Sequence, residues 1–316
     1  MSLHGKVCVV TGATRGIGRG IALQLGKAGA TVYITGRTLK SSGDVTGSLT
    51  DTAREVEERG GKCIPVQCDH SKDEDIATLF DTISKQHDGQ LDLLVNNAYS
   101  AVKMISEHKG TPFWDQPMSM WDNVNNVGLR NHYMCAIHAA RLMVPRKSGL
   151  IVNISSGGGL KYLFNIPYGV GKEACDRMAA DCAVELRRHN VAFVSLWPGP
   201  VRTEVVSQLA ESGHLSTKEN SGINFAEGET TEYAGKAIVN LLADKNLVSK
   251  KSGKILLTSD LAYEYGFKDI DGRQPPSIRQ LRFLIGQNPK TSWMGKWTPG
   301  FLYLPKWLLA QAGNKF

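Results

Sequence analysis

The stretch KVCVVTGATRGIGRGIALQLGKAGATVYIT, residues 6–35, decides the fold. A short apolar run at 6–11 passes through a glycine-rich turn into a helical pattern, and a second β-branched apolar run follows at 31–35. Apolar runs of this length on either side of a helix favour two parallel strands of a βαβ unit. The stretch therefore predicts a strand, a tight turn, a helix and a second strand.

The turn TGATRGIG, residues 11–18, places Gly12, Gly16 and Gly18 at the junction of strand and helix. Glycines at these positions permit a tight bend, a close approach of the backbone to a phosphate and close packing of the helix on the strand. The helix amino terminus adds unpaired N–H groups and a partial positive charge. We therefore expect a dinucleotide cofactor to bind at this turn.

The same alternation of apolar runs and helical patterns continues along the chain, which predicts an α/β fold with a doubly wound, parallel, seven-stranded sheet and right-handed crossovers. Beyond residue 260 the alternation stops, so we predict a Rossmann-fold domain at 1–260 and a carboxyl-terminal extension at 261–316. Strands are predicted at 6–11, 31–35, 62–67, 91–95, 149–154, 191–197 and 254–258. Helices are predicted at 16–29, 51–59, 72–87, 118–145, 165–189 and 231–244.

Composition narrows the class of protein. With 41% hydrophobic and 21% charged residues, the 316-residue chain is typical of a globular protein. The net charge of +7 is spread without a run of five like charges, so it indicates solubility, a phosphorylated cofactor or an anionic membrane surface rather than nucleic acid.

The six cysteines are scattered and form no C-x-x-C pair, which favours free thiols in a reducing compartment over disulfides or a metal site. No signal peptide is evident, and no window reaches eighteen apolar residues. We therefore expect an intracellular protein, cytoplasmic or on the cytoplasmic face of the endoplasmic reticulum, without a membrane-spanning helix.

The end of the second predicted strand bears on the choice of nucleotide. An acidic residue there would bind a ribose hydroxyl and repel a 2′-phosphate, but the sequence has Gly36 and Arg37. Arg15 in the glycine turn supplies a second guanidinium on the same side. Because guanidinium groups match phosphate oxygens, NADP(H) is preferred over NAD(H).

The stretch IPYGVGKEACDRMAADCAVEL, residues 166–186, carries Tyr168 four residues ahead of Lys172 on a predicted helix. Four helical residues rise about 6 Å and return to nearly the same face, so the phenol and the ammonium group can approach each other. The spacing alone is compatible with catalysis and equally with ordinary packing.

Taken together, the ordered motifs TGATRGIG, QCDHS, NNAY, VNISS, PYGVGK and PGPVRT resemble those of the short-chain dehydrogenase/reductase family over about residues 5–260. The resemblance implies an oxidoreductase in which Ser155, Tyr168 and Lys172 are catalytic. It also implies cofactor contacts from Gly12, Arg15, Gly16, Ile17, Gly18, Arg37, Asp69, Asn96, Ala98, Tyr168, Lys172, Pro198, Gly199, Val201 and Thr203.

In this mechanism Tyr168 protonates the carbonyl oxygen, Lys172 lowers the pKa of the phenol, and Ser155 orients the substrate. Ser156 follows directly, and because adjacent strand residues face opposite ways only one of the two serines can face the site. The family register favours Ser155. The competing hypothesis is an NADP(H)-binding scaffold with little turnover.

Two positions depart from the family pattern. Tyr99 replaces the glycine of the family's NNAG motif, and a bulky ring there either narrows the pocket or packs against neighbouring loops. The family's catalytic asparagine, which holds the water of a proton relay, falls on Gly128. Three replacements stay open, namely Asn125, Asn131, or a backbone carbonyl exposed by a kink at Gly128.

The extension mixes three tryptophans and Phe301 with lysines over residues 291–316. This composition is typical of a peripheral membrane contact, but also of a cap over the pocket or a contact within a homo-oligomer. The segments 99–116 and 207–231 are expected to wall a pocket for a small hydrophobic carbonyl, such as a steroid, retinoid or xenobiotic ketone. The candidate aromatic walls are Phe113, Trp114, Tyr162, Phe164 and Trp197.

Overall fold

The computed structural model describes residues 1–41, 47–211, 225, 228–287 and 291–312. Over these residues, seven strands form one parallel sheet in the order β3-β2-β1-β4-β5-β6-β7. The predicted doubly wound α/β fold is therefore confirmed. The strands are β1 Val7–Val10, β2 Thr31–Gly36, β3 Lys62–Gln67, β4 Leu93–Asn96, β5 Gly149–Ile154, β6 Val191–Trp197 and β7 Ile255–Leu257.

Helices cover both faces of the sheet. The helices are α1 Gly16–Lys27, α2 Leu49–Glu58, α3 Asp73–Gln86, α4 Val102–Glu107, α5 Ser119–Asn125, α6 Asn131–Arg146, α7 Ile166–Leu186, α8 Glu204–Glu211, α9 Tyr233–Ala243, α10 Thr258–Tyr265, α11 Leu281–Gln287, α12 Ser292–Trp297 and α13 Lys306–Ala312.

The central strands form because their residues are almost continuously apolar. Every residue of β1, β4 and β6 is buried, as a sheet sandwiched between two helix layers requires. Two hydrophobic clusters fill the two faces, one around α1 and α9 and the other around α3, α6 and α7. This packing brings the carboxyl ends of the strands to one edge of the molecule.

The predicted continuous helix over 118–145 is wrong, because the chain breaks between α5 and α6. Val127 has φ −112° and ψ 92°, and Gly128 has φ 152° and ψ −21°, neither of which is helical. The Gly128 N–H donates to Oδ1 of Asn131 at 2.7 Å, which stabilises the break. A kink at Gly128 was one of the three alternatives considered above.

The extension begins within a helix, since residue 260 lies inside α10. The carboxylate of Asp260 pairs with Arg279 at 2.6 Å and accepts a hydrogen bond from the Ser277 hydroxyl at 3.1 Å, so residues 277–279 are fastened to α10. Among the described residues, none of the helices has the length and apolar character needed to cross a bilayer. Residues 42–46 and most of the predicted pocket wall at 207–231 lie outside the described residues.

Candidate active site

Apart from Tyr168 and Lys172, which lie on α7, the predicted cofactor contacts lie near the carboxyl ends of strands. In a parallel sheet a ligand binds where the strand order reverses, here between β1 and β4. The structure places Gly12 and Arg15 between β1 and α1, Gly16, Ile17 and Gly18 in the first turn of α1, Arg37 after β2, Asp69 after β3, Asn96 and Ala98 at the end of β4, and Pro198, Gly199, Val201 and Thr203 after β6.

The glycine turn leaves no room for a side chain at Gly12 or at Gly18. Gly12 has φ 68°, and a Cβ atom there would lie 2.7 Å from Cα of Ala98. A Cβ atom on Gly18 would lie 2.4 Å from the carbonyl oxygen of Gly12. Both glycines are therefore required by close backbone approach, which keeps the amino terminus of α1 open toward the cleft.

A carboxylate already occupies the anion-binding position of this turn. The Gly16 N–H donates to Oε2 of Glu204 at 2.9 Å, and Arg19 lies 3.8 Å from the other carboxylate oxygen. The side chain of Glu204 thus stands where a phosphate oxygen would accept the same N–H. The chemistry of the turn fits a cofactor diphosphate, and a cofactor that uses the Gly16 N–H must displace Glu204.

Asn97 and Thr11 hold the turn against β4, and the sequence analysis missed both. The amide nitrogen of Asn97 donates to the carbonyl oxygens of Thr11 at 2.8 Å and Gly12 at 3.0 Å. The Thr11 hydroxyl accepts the N–H groups of Asn97 and Ala98, each at 2.9 Å. The NNAY motif contained this signal, but two adjacent asparagines do not reveal which one faces the turn.

Asn96 lies inside the sheet. Its side chain is fully buried and donates to Oδ1 of Asn153 at 3.0 Å and to the carbonyl oxygen of His132 at 3.1 Å. These bonds link β4 to β5 and to α6, which makes Asn96 a structural support of the cleft. A direct cofactor contact from Asn96 stays a prediction.

Arg37 and Asp69 flank the predicted adenosine end of the cleft. Arg37 is exposed immediately after β2. The carboxylate of Asp69 accepts hydrogen bonds from the N–H of Ser71 at 3.0 Å and from its hydroxyl at 2.8 Å. Partial burial opposes ionisation, but these hydrogen bonds and the charge of Arg37 together lower the pKa of Asp69.

Tyr168 and Lys172 lie on the first two turns of α7. The side chain of Asn165 caps this helix by accepting the Tyr168 N–H at 3.0 Å, and Pro167 occupies the first turn. Lys172 is buried, and its Nζ donates to the carbonyl oxygen of Ile154 at 3.0 Å. The structure therefore brings the predicted pair together beside the end of β5.

The surroundings as a whole raise the pKa of Tyr168, and a lowering contribution from Lys172 stays a prediction. Burial is the largest effect and raises the pKa of Tyr168 to about 12; the Ser156 hydroxyl acts to lower it, whereas Cys175 and Asp176 raise it further. Burial also lowers the pKa of Lys172. At neutral pH the phenol is thus held in its protonated form.

The choice of Ser155 over Ser156 is also wrong. The Ser155 hydroxyl is buried and donates to the backbone carbonyl of Lys172 at 3.1 Å, away from the cleft. Ser156 is half-buried, accepts the Gly158 N–H at 3.1 Å, and interacts with the Tyr168 phenol. Since neighbouring residues at the end of β5 face opposite sides, the serine that meets Tyr168 is Ser156.

We expect Ser156→Ala to lower kcat of the oxidoreductase reaction by about 10²-fold, because it removes a hydrogen-bonding hydroxyl beside the Tyr168 phenol. Ser155→Ala is the matched control, and its main effect should be a lower melting temperature. Steady-state kinetics and thermal denaturation of both variants provide the measurement. A larger loss of kcat in Ser155→Ala would reinstate the original assignment.

The segment after β6 is tied to the rest of the chain by Glu229. This buried carboxylate accepts the Gly199 N–H at 2.8 Å, and backbone bonds pair Val201 with Glu229. The extension contributes as well, because Asp271 pairs with Arg202 at 2.6 Å. The methyl group of Thr203 then lies beside Gly16, so this segment closes one side of the cleft.

The predicted aromatic walls separate into three groups. Phe164 adopts φ 63°, a left-handed conformation rare for non-glycine residues, and places its ring 5.1 Å from that of Tyr168. Trp197 is not a pocket wall, since it is buried and its Nε1 donates to both carboxylate oxygens of Asp176, at 2.9 and 3.1 Å. The remaining candidates, Phe113, Trp114 and Tyr162, are exposed.

Residues 6–213 match the family model described as short chain dehydrogenase. The chain is a short-chain dehydrogenase. It is 49% identical over 317 residues to Dehydrogenase/reductase SDR family member 1 of Mus musculus, with 99% of each chain covered. These findings confirm the predicted family.

Solved structures agree with this assignment. A short chain dehydrogenase from Mycobacterium thermoresistibile matches with a TM-score of 0.69 and 26% identity, covering 85% of this chain and 90% of the other. A metagenomic short-chain oxidoreductase in complex with NADP matches with a TM-score of 0.62 and 26% identity, covering 81% of this chain and 98% of the other. Short-chain dehydrogenases bind a nicotinamide cofactor, and the glycine turn described above fits one.

Within this short-chain dehydrogenase, neither asparagine near Gly128 hydrogen-bonds to Lys172 in the described part of the chain. Asn131 is engaged with the Gly128 N–H, and the carbonyl oxygen of Gly128 accepts the Cys175 thiol at 3.3 Å. Asn125 is buried against Gly171, and its amide has no partner among the described residues. Of the three alternatives, the kink is the one that the backbone shows.

Proposed function

We propose that this protein is an NADPH-dependent carbonyl reductase. The observation that carries the proposal is the protonated, partly buried phenol of Tyr168, which lies between Ser156 and Lys172 at the carboxyl edge of the sheet, in the same cleft as the glycine turn. With its pKa raised to about 12, this phenol is protonated in neutral solution and therefore holds a proton that it can donate.

The residues divide the work of carbonyl reduction between them. When bound, the reduced nicotinamide supplies the hydride that reaches the carbonyl carbon. Tyr168 donates its proton to the carbonyl oxygen, on which negative charge develops, and Ser156 donates a hydrogen bond to the same oxygen. Lys172 holds positive charge 5.8 Å from the Tyr168 ring, which favours the phenolate left after proton transfer.

The proposed substrate is a hydrophobic carbonyl compound, such as a steroid, retinoid or xenobiotic ketone. The rings of Phe164 and Tyr99 both contact Tyr168 edge to face, which makes the surroundings of the reacting oxygen apolar. The test is NADPH oxidation with a panel of hydrophobic ketones and quinones. A scaffold function is the alternative, favoured by the carboxylate of Glu204 on Gly16, and it predicts NADPH binding without turnover across the panel.

The preference for NADPH over NADH belongs to the same proposal. Arg37 is exposed at the end of β2, no carboxylate follows this strand directly, and the NADP complex of a related structure supports the choice. We expect Arg37→Asp to shift the ratio of kcat/KM for NADPH and NADH toward NADH by about 10- to 100-fold. Arg54→Asp on α2 makes the same change in net charge, and an equal shift in that control would exclude a direct role for Arg37.

We also propose that the extension is a peripheral membrane contact on the cytoplasmic face of the endoplasmic reticulum. Residues 273–316 contain seven Lys and Arg and no Asp or Glu, so they carry the whole net charge of +7. Exposed aromatic side chains accompany them. Basic and aromatic groups together are typical of an anionic membrane interface. The exposed aromatic residues are Trp293, Trp297, Phe301 and Trp307.

The membrane proposal is tested by flotation with vesicles that contain an anionic lipid. Combined replacement of Trp293, Trp297 and Trp307 by serine should lower the bound fraction about tenfold, and salt should weaken binding of the wild type. Trp114→Ser removes an equally exposed tryptophan outside the extension and serves as the control. Unchanged flotation of the triple variant would contradict the proposal. A homo-oligomer, and the absence of nucleic acid binding, stay predictions.

A further inference from the structure

The two departures from the family pattern are in contact with each other. Gly128 has φ 152°, and a Cβ atom there would lie 2.6 Å from Cδ2 and 2.9 Å from Cε2 of Tyr99. The tyrosine ring therefore occupies the space in which any side chain at position 128 would begin. The Tyr99 ring can pack in this position because residue 128 is glycine, although 28 residues lie between the two positions.

The ring of Tyr99 also faces the catalytic lysine. Nζ of Lys172 lies 5.0 Å from the centroid of Tyr99, closer than the 5.8 Å that separates it from the centroid of Tyr168. An ammonium group within about 6 Å of an aromatic face is attracted to the ring, most strongly where water is excluded. Lys172 is buried, and the one hydrogen bond of its ammonium group in the described part of the chain goes to the carbonyl oxygen of Ile154.

The same ring supports Tyr168 from the side. Tyr99 and Tyr168 meet edge to face, with centroids 6.1 Å apart and planes at 80°. Both members of the catalytic pair therefore touch one aromatic side chain that arrives from the end of β4. A ring seated at Gly128 links the break between α5 and α6 to the pair on α7.

We propose that Tyr99 is a positioning residue, whose ring, seated over Gly128, holds the Lys172 ammonium group and the Tyr168 phenol in their catalytic arrangement. The proposal rests on the proposed carbonyl reduction for the role of the pair. The ring face supplies the attraction, while the Tyr99 hydroxyl is buried without a partner among the described residues. Removing that hydroxyl therefore costs no hydrogen bond.

Loss of the Tyr99 ring should change the pH dependence of kcat. The titratable groups that face Lys172 are Tyr168, Cys175 and Asp176 on α7, His132 on α6, and Tyr99. Burial lowers the pKa of Lys172, whereas Cys175 and Asp176 raise it. Attraction to the Tyr99 ring also favours the ammonium form, so loss of the ring lowers the pKa further.

The experiment compares Tyr99→Phe with Tyr99→Leu. Tyr99→Leu should lower kcat about tenfold and move the alkaline limb of the pH profile about half to one unit toward lower pH. Tyr99→Phe keeps the ring and should restore the limb of the wild type, which a role of the hydroxyl would not allow. The proposal is overturned if Tyr99→Leu leaves the limb in place, or if Tyr99→Phe moves it as far as Tyr99→Leu does.

A second measurement does not depend on turnover. Gly128→Ala should lower the melting temperature of the wild type by several degrees, because the backbone at φ 152° is strained for any side chain and because the new methyl group meets the Tyr99 ring. In a Tyr99→Gly background the same substitution should lower the melting temperature clearly less. An equal decrease in both backgrounds would show that the Tyr99 ring does not pack over Gly128. If NADPH binds but no carbonyl is reduced, the proposed function fails, and this cycle still decides whether Tyr99 and Gly128 are coupled.

Discussion

Tyr168→Phe is expected to lower the rate of carbonyl reduction by about 10²- to 10⁴-fold, while the affinity for NADPH stays within about twofold. Phenylalanine keeps the ring contacts with Tyr99 and Phe164 and removes only the hydroxyl that donates the proton. The phenol is protonated at neutral pH in the wild type, so the variant lacks the proton that the carbonyl oxygen would receive.

Cofactor oxidation with a ketone that the wild type reduces, together with NADPH fluorescence titration, measures both quantities. The matched control is Tyr162→Phe, which removes an exposed hydroxyl that donates to the carbonyl oxygen of Phe164 at 3.4 Å. A rate in Tyr168→Phe equal to that of the control would remove Tyr168 from the mechanism. It would also leave the structure without an acid beside the reacting oxygen.

Glu229→Gln is expected to remove a steep loss of stability that the wild type shows as pH rises from 4.5 to about 8. Glu229 is fully buried beneath the segment after β6, where one carboxylate oxygen accepts the Gly199 N–H and the Thr258 hydroxyl. The other oxygen has no partner among the described residues. Burial raises the pKa of this carboxyl from 4.5 to about 8. Glutamine keeps the accepting oxygen and cannot ionise.

The direction in which the free energy of unfolding changes with pH follows from proton binding by Glu229. Between pH 4.5 and about 8 the folded protein holds a proton on Glu229 that the unfolded chain has released, so the free energy of unfolding falls as pH rises through this window. The slope approaches about 1.4 kcal/mol per pH unit. Above the folded pKa the contribution levels off, because both states are then ionised.

Urea denaturation of wild type and Glu229→Gln at several pH values across this window measures the slope. Glu232→Gln is an instructive control, because Glu232 pairs with Arg59 at 2.6 Å and its pKa is lowered. The stability that Glu232 contributes is present above its unfolded pKa and is lost as pH falls. The Glu232→Gln variant should therefore keep the loss of stability that the wild type shows as pH rises from 4.5 to about 8. Identical slopes in wild type and Glu229→Gln would show that Glu229 is ionised in the folded protein.

Local patterns explain the features that were predicted correctly. The spacing of Gly12, Gly16 and Gly18 serves a single turn, and the spacing of Tyr168 and Lys172 serves adjacent turns of one helix. Such patterns can be recognised in the sequence because their residues interact over a short stretch of chain. The parallel sheet was predicted in the same way, since short apolar runs alternate with helical patterns along the chain.

Errors arose where the outcome depended on orientation or on a distant partner. Ser155 and Ser156 have the same chemistry, and only the direction of the chain at the end of β5 turns one toward Tyr168 and the other toward Lys172. Trp197 was predicted to line the pocket, but its indole N–H donates to the carboxylate of Asp176, 21 residues away in sequence, and the ring lies in the core. The composition of a short segment contains neither fact.

The sequence by itself determined the parallel sheet, the cofactor turn and the Tyr168–Lys172 pair, because periodicity and close spacing encode local geometry. Only the tertiary structure decided that Ser156 faces the phenol, that Glu204 occupies the anion position of the turn, and that Tyr99 fills the space over Gly128. These three features are contacts between segments that the fold brings together. Their geometry is set by how whole helices and strands pack, which no local pattern records.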